Sequence, residues 1–409
     1  MDAIRAIACV ATWIVLSPLA WGANECKNHY ILDYPCTASW VEANEGLGGL
    51  DVHSLAIDPV DSANLYAGGF GALFRSVDGG RSWLPTRFVA EPWTSTSPSF
   101  SGPPVGFVAE HVVTLIAVNP ANPRILYAAT HRHPKTGCVW FQRRFFKSVD
   151  GGVSWSEDLT AQIGGCEKIT ALAFDPNDSQ SLYFSHFDYI MGDTYAPFRT
   201  SQDAGRTWNY YFQPLVPVLA VDPHLPGTLY GGTLALDWDW YGQFPPGVLK
   251  SVDKGVTWSS TALAGRGVSA IATATGRGAL HAATFTQESY AQPQLFDGIF
   301  RSLDGGESWS ASSGLETLRG TTATVTALVT HPENGDVVYA GTLDAGVWRS
   351  VDGGLTWAAF NEGLPSLAIR SLVTSRGSPN TVHVATPLGV FRIVDVRSPR
   401  IGSKRVNRH

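Results

Sequence analysis

One octet recurs six times along the 409-residue chain, and that recurrence limits the fold more than any other feature. It reads Ser76-Val-Asp78-Gly-Gly80-Arg-Ser82-Trp83, and returns as Ser148 to Trp155, Ser201 to Trp208, Ser251 to Trp258, Ser302 to Trp309 and Ser350 to Trp357. Its aspartates, Asp78, Asp150, Asp203, Asp253, Asp304 and Asp352, follow one another at spacings of 72, 53, 50, 51 and 48 residues. Repeats of this period mean a solenoid, a propeller or an array of small units. With 42 Gly and 25 Pro, the composition favours short strands joined by turns over long helices.

Each octet follows a short alternating run such as Gly298-Ile-Phe300-Arg301. Upstream lies an apolar strand, a turn and a second strand, as in Leu55-Ala-Ile-Asp58-Pro59 leading to Leu65-Tyr66-Ala67-Gly68. Seven such units are present, the last at Leu372 to Val384. Each supplies strands A, B and C, an Asp-Gly turn and a strand D opened by the Trp, which is the blade of a β-propeller. The seventh unit ends at Gly389-Val390-Phe391-Arg392 without an octet, whereas Trp40 to Leu47 matches Trp357 to Leu364. The N-terminal segment is therefore expected to supply the missing strand and remove two open edges. The fold class is all-β: a seven-bladed β-propeller over residues 39–395, its last blade closed by the N-terminal strand.

The octets resemble the Asp-box, or bacterial neuraminidase repeat, and the surrounding units resemble secreted bacterial proteins that carry it. The resemblance covers essentially the whole mature chain and implies the fold. The same repeat occurs in sialidases, xyloglucan-hydrolysing enzymes, sortilin-type receptors and photosystem II assembly-factor propellers, so function must be argued from a site. A sialidase would need three converging arginines, a Tyr–Glu pair and an early Arg-Ile-Pro; here Phe391-Arg-Ile393 is late and lacks Pro. The xyloglucan enzymes resemble two fused propellers with a cleft between them, and this chain has one. Within the octet, the Asp can accept turn amides, Gly permits positive φ and Trp buries a large ring. That makes the six aspartates structural, in a ring at the outer edge.

The first residues read as an export signal. Ile7 to Leu19 is apolar, Ala20-Trp21-Gly22 offers small residues at −3 and −1, and cleavage is expected before Ala23. Residues 23–38 form a lead-in and 396–409 a basic tail. No other apolar run is long enough to span a bilayer, so the mature chain is expected to be free of integral membrane segments. Export places it in the periplasm or outside the cell. Four cysteines remain, which allow three pairings. Nearness favours Cys26–Cys36 and Cys138–Cys166, stable in an oxidising compartment, against unpaired buried thiols. No pair has zinc-site spacing, and no cofactor or metal is expected. A net charge of −6 argues against nucleic acid as a partner. The expected chain is a monomer that binds a protein or a glycan.

Where it would bind is suggested by the B–C connections. They are minimal in blades one, six and seven and long in blades two to five, on the face opposite the octets. The long ones carry His131, His133, Trp140 and Arg143 in blade two, and Asp188 and Tyr189 in blade three. Blade four adds Asp237, Trp238, Asp239, Trp240 and Tyr241, and blade five Glu288 and Tyr290. Aromatic faces stack on sugar rings, and paired carboxylates such as Asp237 and Asp239 can act as acid and base. The competing reading has the loops burying their own aromatics, with carboxylates in solvent. The function expected is a binding scaffold; the alternative is a glycoside hydrolase using loop carboxylates.

Overall fold

Branched and aromatic residues at period two make each short apolar run a strand, and the Gly-rich turns fold successive runs back on one another. The computed structural model describes residues 39–88, 111–132, 143–157, 169–186, 188–190, 193–195, 198–211, 216–234, 245–274, 279–287 and 292–395. Among them there is no α-helix, only a single 3-10 turn at Glu316–Leu318, and no helix long and apolar enough to cross a membrane. The strands make seven antiparallel blades. Blade one runs Val52–Ile57, Leu65–Gly69, Ala72–Ser76 and Leu84–Pro85 as strands A to D.

The remaining A strands are His111–Val118, Ile169–Phe174, Val218–Val221, Gly267–Thr273, Val325–Thr330 and Ser371–Ser375. Each packs beside the next, and Ser371–Ser375 returns to Val52–Ile57, so the ring is closed. Strand D of blade seven is Val41–Glu42, paired antiparallel to Gly389–Val394 with Val41 opposite Arg392 and Glu42 opposite Phe391. The core is divided among the seams. Leu73, Phe88, Val113 and Phe146 fill the junction of blades one and two, and Leu47, Val52, Trp83 and Val390 that of blades seven and one.

The octets tie neighbouring blades together through strand B. Its second residue is a fully buried tyrosine in five blades: Tyr66, Tyr127, Tyr183, Tyr230 and Tyr339. The Tyr66 hydroxyl donates to the Gly151 carbonyl at 3.1 Å, and that of Tyr127 to Ala204 at 2.9 Å, each in the following blade's octet. Gly205 (φ +80°) has room for the Tyr127 hydroxyl only because it carries no Cβ. In blades five and seven the tyrosine is replaced by His281 and His383. The octet tryptophans Trp83, Trp155 and Trp357 are buried, and the Trp83 indole N–H reaches across to the Ala43 carbonyl at 2.8 Å.

Two elements depart from the four-strand expectation. In the connection leaving blade one, Arg87–Phe88 joins blade two as a fifth strand, parallel to Ser154–Glu157. Phe88 makes this favourable by burying its ring against Phe146 and Trp155. In blade three, Asp188–Ile190 and Asp193–Tyr195 form a separate hairpin within the B–C connection.

Candidate binding face

The two ends of the barrel of blades differ in what their polar groups are free to do. On the octet end, Asp78 Oδ1 accepts the Ser76 hydroxyl (2.8 Å) and the Arg81 and Ser82 amides (3.0 and 2.9 Å). Its Oδ2 accepts the Ser82 hydroxyl at 2.6 Å, and the Ser76 oxygen in turn accepts the Gly80 amide at 2.9 Å. The same carboxylate-to-hydroxyl bonds recur at Asp150, Asp203, Asp253, Asp304 and Asp352. At Asp150 and Asp203, slight burial works to raise the carboxyl, but the hydroxyl and amide donors outweigh it and hold each at about 2. Asp304, with the same donors, also lies at about 2. These six carboxylates are engaged by their own turns.

On the opposite end the connections are unequal. Gly69-Phe70-Gly71 and Leu343-Asp344-Ala345 close blades one and six almost immediately, and Pro387-Leu388 closes blade seven. Residues 133–142, 187–197, 235–244 and 288–291 fall in the corresponding connections of blades two to five. His131 and Arg143, expected in a loop, are instead opposite partners in strands B and C of blade two, because Leu126–Arg132 and Arg143–Ser148 extend their pairing to that point. Asp188 and Tyr189 lie on the blade-three hairpin, opposite Tyr195 and Thr194. His133, Trp140, Asp237, Trp238, Asp239, Trp240, Tyr241, Glu288 and Tyr290 lie outside the described residues, as do Cys26, Cys36, Cys138 and Cys166. Among the described residues no three potential metal ligands come together.

This end also carries two polar clusters that the sequence reading did not single out. Arg370, just before strand A of blade seven, donates to Asp51 Oδ2 at 2.9 Å. His53 lies between them, its Nδ1 3.1 Å from the Arg370 guanidinium and its Nε2 3.3 Å from Asp51 Oδ2. Its ring meets Phe70 edge-on at 5.2 Å. In blade five, Arg266 occupies the matching place before strand A and donates to Asp297 at 2.6 Å, while its guanidinium covers the Phe300 ring. Phe296, beside Asp297, is buried in the seam with blade six. In both clusters an arginine that precedes strand A pairs with a carboxylate. The available signal was positional: each arginine immediately precedes the first residue of an A strand.

No protein-family model matches the chain. It is 25% identical, over 268 residues, to an oligoxyloglucan-reducing end-specific xyloglucanase of Emericella nidulans, covering 59% of this chain and 30% of that protein. Among solved structures, the GH74 xyloglucanase of Xanthomonas campestris superposes with a TM-score of 0.59 at 16% identity, over 88% of this chain and 54% of that one. YCF48 bound to D1 peptide superposes with a TM-score of 0.55 at 16% identity, over 89% of this chain and 96% of that chain. These similarities establish the seven-bladed propeller. The chain spans about a third of its curated relative and half of the GH74 structure.

Proposed function

We propose that this chain is an exported binding propeller that holds a protein or a glycan on the loop face of blades two to five. The observation that carries this reading is the inequality of the two ends. One is made of near-identical turns whose carboxylates are satisfied internally, and the other has long connections in four adjacent blades. Rigid blades carrying variable connections are the usual arrangement for recognition, and Trp238, Trp240 and Tyr241 supply rings suited to stacking. The likeness to YCF48 along nearly its whole length supports a single-propeller scaffold, one that in that protein was solved with a bound peptide.

A second reading is favoured by the xyloglucanase similarity: a glycoside hydrolase whose carboxylates include Asp237 and Asp239. One experiment separates them. The mature chain is tested on a glycan array and in a crosslinking pull-down, with xyloglucan oligosaccharides assayed for reducing-end release. Capture without turnover, lost on Trp238→Ala with Trp240→Ala, supports the scaffold. Turnover abolished by Asp237→Asn or Asp239→Asn replaces it with the hydrolase.

A further inference from the structure

The seam where the ring closes carries a feature that belongs to neither reading. On the octet end, a cleft of about 400 Å³ opens between blade seven and blade one, lined by Ser62, Asp78, Arg81, Ser378, His383 and Arg392. Arg392 is the residue of strand C that pairs with the strand-B position occupied elsewhere by tyrosine. Its counterparts in blades one, two, four and six are engaged. Lys147 donates to the Ala204 carbonyl, Lys250 to Gly305, Arg75 to Asn64 and Arg349 to Asp395. The Arg392 and Arg81 guanidiniums make no hydrogen bond or ion pair among the described residues, and they share one carboxylate, Asp78.

That carboxylate is already committed to its own turn, to Ser76, Arg81 and Ser82. His383 adds no charge. Burial holds its imidazole down at about 4, so at neutral pH it is uncharged and donates Nε2–H to the Gly79 carbonyl. Burial also lowers Arg392, and repulsion from Arg81 adds more than Asp78 offsets. Two hydroxyls complete the wall, Ser62 and Ser378, which are bonded to each other at 2.9 Å. Two uncommitted guanidiniums with one free hydroxyl donor make a site for an acceptor that is itself doubly charged.

We propose that this cleft binds a tetrahedral oxyanion, phosphate or sulfate, free or as the head of an ester. The guanidiniums of Arg81 and Arg392 flank it from the two blades, and whichever serine hydroxyl accepts from the other donates from the third side. The ligand would join blade one to blade seven, so its binding also stabilises ring closure. The site is on the octet end and is independent of the loop-face reading.

The test is calorimetric titration of the full mature chain with inorganic phosphate, then with sulfate, a sugar phosphate and the unesterified sugar, at neutral pH. One saturable site for the charged ligands and none for the free sugar is expected, with a rise in melting temperature. Comparing the free anions with the sugar ester identifies the source the site prefers. Arg81→Gln, on an exposed turn, should weaken binding roughly tenfold or more, and Arg81→Gln with Arg392→Gln should abolish it. Unchanged affinity in a folded double variant overturns the assignment, as does the absence of heat in the wild type. If the double variant fails to fold, undiminished affinity in Arg81→Gln alone also overturns it.

Discussion

The side-chain oxygen of Asn44 accepts the backbone N–H of Val390 at 2.5 Å, joining the first described strand to the last. Its amide donates to the Leu388 carbonyl at 3.2 Å. Asn361 repeats the arrangement inside blade six, accepting from Val347 at 2.7 Å and donating to Ala345 at 3.3 Å. The latch is thus an ordinary blade contact made between the two ends of the chain. Trp40 adds its backbone N–H to the Glu362 carbonyl and its indole N–H to Phe360.

Because Asn44 bonds within a closed seam, Asn44→Ala should cost about 1–3 kcal/mol. Trp40→Ala, which also empties a buried ring site, should cost about 3–5 kcal/mol. Chemical denaturation measures both. Asn361→Ala should cost about the same as Asn44→Ala; a much smaller loss at Asn44 would mean that the closing strand is not holding the ring.

Asp395 is fully buried and is shared by two residues of blade six, the Arg349 guanidinium at 2.6 Å and the Tyr339 hydroxyl at 2.7 Å. Asp395→Ala leaves the cation unpaired and is expected to cost about 3–5 kcal/mol. Tyr339→Phe should cost about 1 kcal/mol. Arg349→Met combined with Asp395→Leu should recover most of the loss, and thermal melts of the three variants read this directly.

His281 and His383 are buried and held down at about 4, chiefly by desolvation. They remain neutral in the folded chain while the unfolded chain protonates near 6.5, so protons favour unfolding. Stability should fall as pH drops from about 6.5 to 4, by about 1.4 kcal/mol per unit for each group, with no such slope above neutrality. Below about 4 the octet aspartates continue the loss, since Asp150 and Asp203 protonate only near 2 when folded. Urea midpoints across this range test the window. Among the described residues neither nitrogen of His281 has a hydrogen-bond partner, so His281→Leu should be neutral or stabilising at pH 7 and should remove its share of the slope.

Ala204 stands at φ +56° where four of the six octets have glycine. Ala204→Gly keeps the backbone carbonyl that Tyr127 and Lys147 use and relieves the left-handed strain. It should raise stability by up to about 1 kcal/mol, less the entropy that glycine adds to the unfolded chain. A lower midpoint would show that this turn carries no strain.

The sequence by itself determined the blade count, the octet turns and the closing strand, because each depends on local chemistry repeated at a regular period. Ser-x-Asp-x-Gly specifies its own hydrogen bonds within a few residues, and Trp40 to Leu47 matches Trp357 to Leu364 position by position. The position of Asp395 was legible too, since it follows Arg392 as Asp352 follows Arg349. Its role was not. Only the packed ring turns that carboxylate toward Tyr339 and Arg349 of the neighbouring blade. The tertiary structure likewise decided that Arg87–Phe88 crosses to blade two, that Arg370 meets Asp51 and His53, and that Arg81 and Arg392 face one cleft. Those pairings join residues far apart in the chain, and their partners are selected by the curvature of the ring, which no local motif encodes.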